Sequence, residues 1–182
     1  MKRFSVVVAL TMLLAACSQR YVVSDDQSYP YNLPPVGSTL VLRKALEVPA
    51  GETRIFLQNG VPMTKSQFDR YKPTCSMELR KLADTPRTIE PDSFIITKVQ
   101  RLTEEVVQND VPAPGFMKVD LDQSGKPQVT LGYHLWLGSD KQPGVMRMTC
   151  LGAFDDLNRA EPPSLQDVKK SLGDYAELML RM

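Results

Sequence analysis

The chain has 182 residues, 22 of them basic and 21 acidic, with one histidine and three cysteines. A formal charge of +1 leaves no electrostatic footprint for a nucleic-acid partner, and a lone histidine excludes a multi-histidine zinc site. Fourteen prolines, most of them between periodic segments, favour short elements joined by turns over a helical bundle.

Residues 1–16 open with Lys2-Arg3. They continue from Phe4 to Leu14 with only Ser5 and Thr11 polar, and end in Ala15-Ala16. A basic start, a short apolar run and a small-residue end make a secretory signal peptide. The run is well short of the roughly 20 residues that span a bilayer core. Leu14-Ala15-Ala16-Cys17 then resembles the lipobox of bacterial lipoproteins. The resemblance implies that the Cys17 sulfur takes a diacylglyceryl group, that the chain is cut before Cys17, and that the new amino group is acylated. Several acyl chains make a stable anchor, where one is marginal. Ser18 stands where an Asp in this family marks inner-membrane retention, so the resemblance implies the outer membrane, with the mature chain facing the periplasm.

Removing sixteen residues from 182 leaves 166, one domain's worth of chain. Lys2 and Arg3 leave with the signal, so the 22 basic residues fall to 20 against 21 acidic. Residues 17–37 are polar and aperiodic, with Pro30, Pro34 and Pro35. They read as a lipidated flexible tether, about 20 residues reaching on the order of 25 Å. Residues 38–182 read as a single β-rich domain.

Leu40, Leu42, Leu46 and Val48 share one face, Pro49-Ala50-Gly51-Glu52 is turn chemistry, and Ile55 and Leu57 alternate in a return strand. That predicts a hairpin over 38–60, closing at Asn59-Gly60, a pair suited to positive φ and so to a further turn. Cys75, Met77 and Leu79 alternate with Ser76, Glu78 and Arg80. In 93–102 Phe94 and Ile96 lie on one side with Ile95, Thr97 and Val99 on the other, the pattern of a strand central in its sheet. Residues 116–121 read as a further strand. From 129 to 137 the odd positions Val129, Leu131, Tyr133, Leu135 and Leu137 oppose Thr130, His134 and Trp136, and Met146, Met148 and Cys150 alternate with Arg147 and Thr149. The segment 128–154 is therefore a hairpin. Near the C-terminus Ser164-x-x-Asp167 resembles a capping box, and Leu165, Val168, Leu172 and Met179 follow at helical spacing, with Gly173 as an interruption. The fold class is mainly β: an antiparallel β-sandwich or small open barrel with a C-terminal α-helix packed on one face.

The compartment implied by the signal is oxidising. With Cys17 lipidated, Cys75 and Cys150 form an even pair on the apolar faces of their strands, which predicts a disulfide between them. No cysteine-hydrolase motif surrounds either one.

Asp120, Asp122, Ser124 and Gly125 copy the start of a calcium loop, but the bidentate Glu needed at its twelfth position is Leu131. The stretch is read as a polar turn, and no metal or cofactor is assigned. His134, the only histidine, has no Gly-x-Ser-x-Gly elbow to serve and reads as a half-exposed sheet residue. With Trp136 and Tyr133 it forms the candidate binding surface. Residues 65–87 carry Lys65, Arg70, Lys72, Arg80, Lys81 and Arg87 against three acids. Residues 104–122 reverse the sign with Glu104, Glu105, Asp110, Asp120 and Asp122. That asymmetry could orient the domain towards anionic lipid or a partner. The reading is a non-enzymatic binding, structural or assembly component of the envelope, held to the membrane by its lipid anchor and acting on an envelope protein. A carrier of an apolar ligand is the first alternative. An enzyme acting on cell-wall or lipid material is the second, and Glu104, Glu105, Asp120 and Asp122 are its only dense acids.

Overall fold

The structure, a computed structural model, describes residues 33–105 and 128–181. The signal peptide, Cys17, the tether as far as residue 32, the expected strand at 116–121 and the loop at 120–125 lie outside the described residues.

The described elements are β1 (Thr39–Leu42), β2 (Leu46–Val48), β3 (Arg54–Gln58), β4 (Val61–Met63), β5 (Thr74–Leu79), β6 (Arg87–Ile89), β7 (Asp92–Glu105), β8 (Gln128–Gly138), β9 (Val145–Leu151), β10 (Asp155–Asp156), α1 (Leu165–Leu172) and β11 (Ala176–Met179). The main sheet runs β11-β1-β7-β8-β9-β5-β3-β4, with β10 against β8, while β2 and β6 form a separate ribbon. It is a curled antiparallel half-barrel with one C-terminal helix packed against it, so the open-barrel form of the expected fold is the one adopted.

Period-two patterning sets the inner face. Leu40, Phe94, Ile96, Leu135 and Met148 are fully buried there. The ribbon adds Leu46, Val48 and Ile89, and the helix adds Val168 and Leu172, all in one core cluster. Each such aliphatic side chain contributes about 1.5–3 kcal/mol on burial. The helix bridges the two ends of the curl, touching β3 and β5 on one side and β11 on the other. It begins as expected. Ser164 Oγ accepts from the Asp167 amide at 3.1 Å and Asp167 Oδ2 accepts from the Ser164 amide at 3.0 Å.

Four local expectations change. The 38–60 hairpin does not form: β2 pairs with β6, with Leu46 opposite Ile89, and β3 pairs with β4 and β5. Alternation reports a buried face and not the partner strand. The Pro49–Glu52 turn is present, closed by the Glu52 amide on the Pro49 carbonyl at 3.2 Å, but it carries the chain from ribbon to sheet. The Asn59-Gly60 turn does close a hairpin, β3–β4, with φ of 52° and 73°. Met146 gives up its inward place to Val145, because the register shifts after Glu78 and sets Leu79 opposite Val145. Met179 is not helical. The helix stops at Gly173, which has φ 54° and packs so closely on Gly60 that a Cβ would stand 2.4 Å from the Gly60 Cα. The chain then returns as β11 on the open edge of β1, with Thr39 opposite Met179. Finally, β7 is central as expected, between β1 and β8, yet Ile95 is 56% exposed. Among the described residues, no layer covers its outer face at that point.

Candidate binding surface

The registers line up two rows across the outer face. One reads Lys98, Trp136, Arg147, Glu78, Arg54, and the next reads Gln100, His134, Thr149, Ser76, Phe56. Each strand contributes one residue to each row, so neighbours in a row are far apart in the chain.

Two of the three cations in the first row converge on its one carboxylate. Glu78 accepts from Arg147 Nε at 2.6 Å and lies 3.1 Å from Arg54 Nη2. Arg147 also sits over the Trp136 ring, 5.3 Å from its centroid, with Lys98 at 5.8 Å. Trp136 Nε1 faces Gln100 Oε1 at 3.4 Å. Cations over an indole face contribute about 0.5–1 kcal/mol at exposed sites. In the second row His134 Nδ1 is 2.8 Å from Thr149 Oγ1. Burial lowers the His134 pKa to about 4, aided by the Arg147 and Arg54 cations and opposed by Glu78. The imidazole is therefore neutral at pH 7. It is poorly matched to general-base work, which favours a pKa near the working pH.

Of the three expected surface residues, Trp136 is half-buried on the outer face. His134 is on the same face but only 8% exposed, less than expected, because β8 is an interior strand with β7 and β9 on either side. Tyr133 leaves the group. It points to the opposite face at 1% exposure, with its hydroxyl 3.5 Å from the Pro163 carbonyl oxygen, and burial pushes its phenol pKa up. Adjacent strand residues cannot share a face.

Cys75 and Cys150 are bonded. They stand directly opposite each other on β5 and β9, both in the core. Several cations of the basic stretch 65–87 are engaged locally: Lys72 pairs with Asp69 at 3.0 Å, Arg80 donates to the Pro143 carbonyl at 3.0 Å, and Arg70 lies over Phe154. Glu104 lines a cavity of about 150 Å³ together with Lys65 and Arg70, while Asp110, Asp120 and Asp122 are outside the described residues. Among the described residues no group of three or more His, Cys, Asp and Glu side chains is placed to hold a metal.

Two surface features were missed. Met179, Thr39 and Ile95 are register partners across β11, β1 and β7, so Met179 and Ile95, each 56% exposed, share an outer-face row. Val36, also exposed, lies just before the Gly37 amide that donates to the Ile96 carbonyl at 2.8 Å. Beside this row β11 forms one end of the sheet, and between it and α1 runs a groove of about 620 Å³. The signal for the row was the apolar Ile95 on the second face of β7. Nothing local marked 176–179 as a strand.

Compared with protein-family models, with curated proteins and with solved structures, the chain matches none.

Proposed function

We propose that this protein is an outer-membrane lipoprotein, anchored through Cys17, whose β-rich domain faces the periplasm and acts by binding an envelope protein without catalysing a reaction. The anchor rests on the Leu14–Cys17 motif at the end of a signal peptide. Binding rests on one observation: the exposed Met179–Thr39–Ile95 row adjoins a strand that forms an end of the sheet. Bare apolar side chains beside unpaired backbone groups are what a soluble monomer normally hides. A carrier role draws less support, because the concave side is filled by the core cluster, the ribbon and the helix. An enzyme role draws less too, since among the described residues Glu104 shares its cavity with Lys65 and Arg70 and with no second carboxylate.

A photo-crosslinking residue placed at Ile95 or Met179 in intact cells tests the reading. A discrete protein adduct in the outer-membrane fraction is expected, absent for a control at Leu82, which is exposed elsewhere. Equal labelling from all three positions, or adducts with lipid alone, would overturn it. Cys17→Ser should leave the uncleaved chain without acyl groups and release no mature form to the outer membrane.

A further inference from the structure

We infer that the groove between β11 and α1 takes an extended peptide segment of the partner as an added β-strand, one that alternates apolar side chains and carries an acidic residue. The inference rests on the binding role proposed above and names the partner's recognised chemistry.

The backbone comes first. β11 pairs with β1 alone, so among the described residues its second edge has no strand beside it. An edge of that kind is a template for a further strand, with main-chain hydrogen bonds supplying affinity and alternate side chains supplying specificity. Four residues at about 3.4 Å each make a ladder of roughly 14 Å, enough for a four- or five-residue segment.

The walls fit such a segment. The helix that closes the half-barrel forms one side, and Leu165 and Lys169, one turn apart on it, line the groove. Leu178 and Leu180 line it from the strand, and Leu180 is 44% exposed. Leu178, packed on the edge of the core, and Leu180, just beyond the end of β11, give the groove an apolar lining for apolar side chains of the incoming segment.

Charge selects the acidic residue. Arg43 is paired with Glu177, and Lys44 lies 3.7 Å from Asp174. Lys169, the remaining cation lining the groove, has no ion-pair partner among the described residues. An aliphatic lipid chain would fill the apolar seat but leave the backbone groups of β11 without partners, so the edge favours a peptide. Other natural strand edges are blunted by charge, proline or a bulge, and β11 (Ala-Glu-Leu-Met) carries only Glu177, which is already engaged by Arg43.

The test uses the full lipidated chain in detergent, immobilised and panned against a random ten-residue peptide library. Enriched peptides should alternate apolar residues and contain Asp or Glu. Lys169→Glu and Leu180→Asp, both at exposed positions, should each weaken binding about tenfold without lowering the melting temperature. Amide exchange at 176–180 should slow on binding. Four results would overturn the inference: no enrichment over the two variants, protection confined to the Ile95–Trp136 face, recovery of lipid in place of peptide, or self-association through β11 that peptides do not compete. Crosslinking from Ile95 separates this failure from failure of the wider reading. If the Ile95 adduct persists in Lys169→Glu and Leu180→Asp cells, the partner docks on the sheet face, and strand addition alone falls.

Discussion

His134 Nδ1 and Thr149 Oγ1 meet at 2.8 Å across β8 and β9, in a row flanked by the Arg147–Glu78–Arg54 ion cluster. The contact holds a neutral imidazole, with pKa lowered to about 4, where an exposed one would titrate near 6.5. Stability is therefore linked to pH through this residue. Above about pH 6.5 both folded and unfolded chains carry a neutral His134, and its contribution is fully present. Between about pH 6.5 and 4 only the unfolded chain takes up the proton, so stability falls as pH falls, by on the order of 2–3 kcal/mol. Urea titrations across pH 4–8 should show that slope, and His134→Gln should flatten it. An unchanged slope in the variant would remove His134 as its source.

Asp92 adds a separate, more acidic window. The Ser139 hydroxyl, 2.6 Å from its Oδ2, is the main group holding its carboxyl below the ordinary 3.8, with the Ser93 amide and Gln142 assisting. A lowered carboxylate pKa contributes stability that is present above the ordinary value and lost as pH falls below it. Asp92→Asn should therefore alter acid stability below about pH 4 and free the 139–144 turn. The measurement is amide exchange in that turn at pH 7, and exchange as slow as in the parent would contradict the role.

Cys75 and Cys150 close a loop of sequence separation 75, for which the chain-entropy account allows up to about 4.5 kcal/mol. Both are essentially inaccessible, so the folded protein should resist dithiothreitol until denaturant opens it. The Cys75→Ala/Cys150→Ala pair should lower the urea midpoint markedly. Rapid reduction of the native protein would argue for an opening between β5 and β9 that the core does not suggest.

Glu78 holds two arginines on a largely buried carboxylate. Glu78→Gln should cost about 2–3 kcal/mol, since it leaves part-buried guanidinium groups poorly matched. Removing Arg147 as well, as Glu78→Gln/Arg147→Met, should recover part of that loss. Trp136, the only tryptophan, lies against Arg147, so its emission reads out the same event. A variant with unchanged midpoint and unchanged emission would show that the cluster is solvated and dispensable.

Ser164→Ala removes the cap of α1 and should cost about 1 kcal/mol. Gly173→Ala should cost more, because positive φ and the Gly60 backbone both oppose a side chain. Thermal melts of the two variants compare them directly, and equal small losses would mean the 60–173 contact yields freely.

Much of the fold was legible where one residue's environment depends on its own strand. The inner faces of β5, β7 and β8, the capping box at Ser164 and the Asn59-Gly60 turn all follow from spacing and turn chemistry. Partnership was legible across short turns, where β8 pairs with β9 in the expected 128–154 hairpin, but not between segments distant in the chain. Leu46 and Val48 alternate in the same way whether they face β3 or β6, and only the closed chain places Ile89 across from Leu46. Met179 fits a helical step from Leu172, yet Gly173 against Gly60 ends the helix, and the free edge of β1 recruits 176–179 as a strand. The binding surface divides in the same way. Period two already separates Tyr133 from His134 and Trp136, whereas Arg54, Glu78 and Arg147 come together only because β3, β5 and β9 are neighbours.

The sequence by itself determined the β-rich class, the inward and outward positions of most strands, and the expectation that Cys75 pairs with Cys150. These are properties of local period, composition and compartment. Tertiary structure decided which strands meet beyond the 128–154 hairpin, that His134 is buried, and that Ile95 and Met179 share one exposed row beside the β11 edge. The physical reason is that a strand's alternation records how many of its faces are covered, while its neighbours are chosen by long-range hydrogen bonding and packing that no single segment carries.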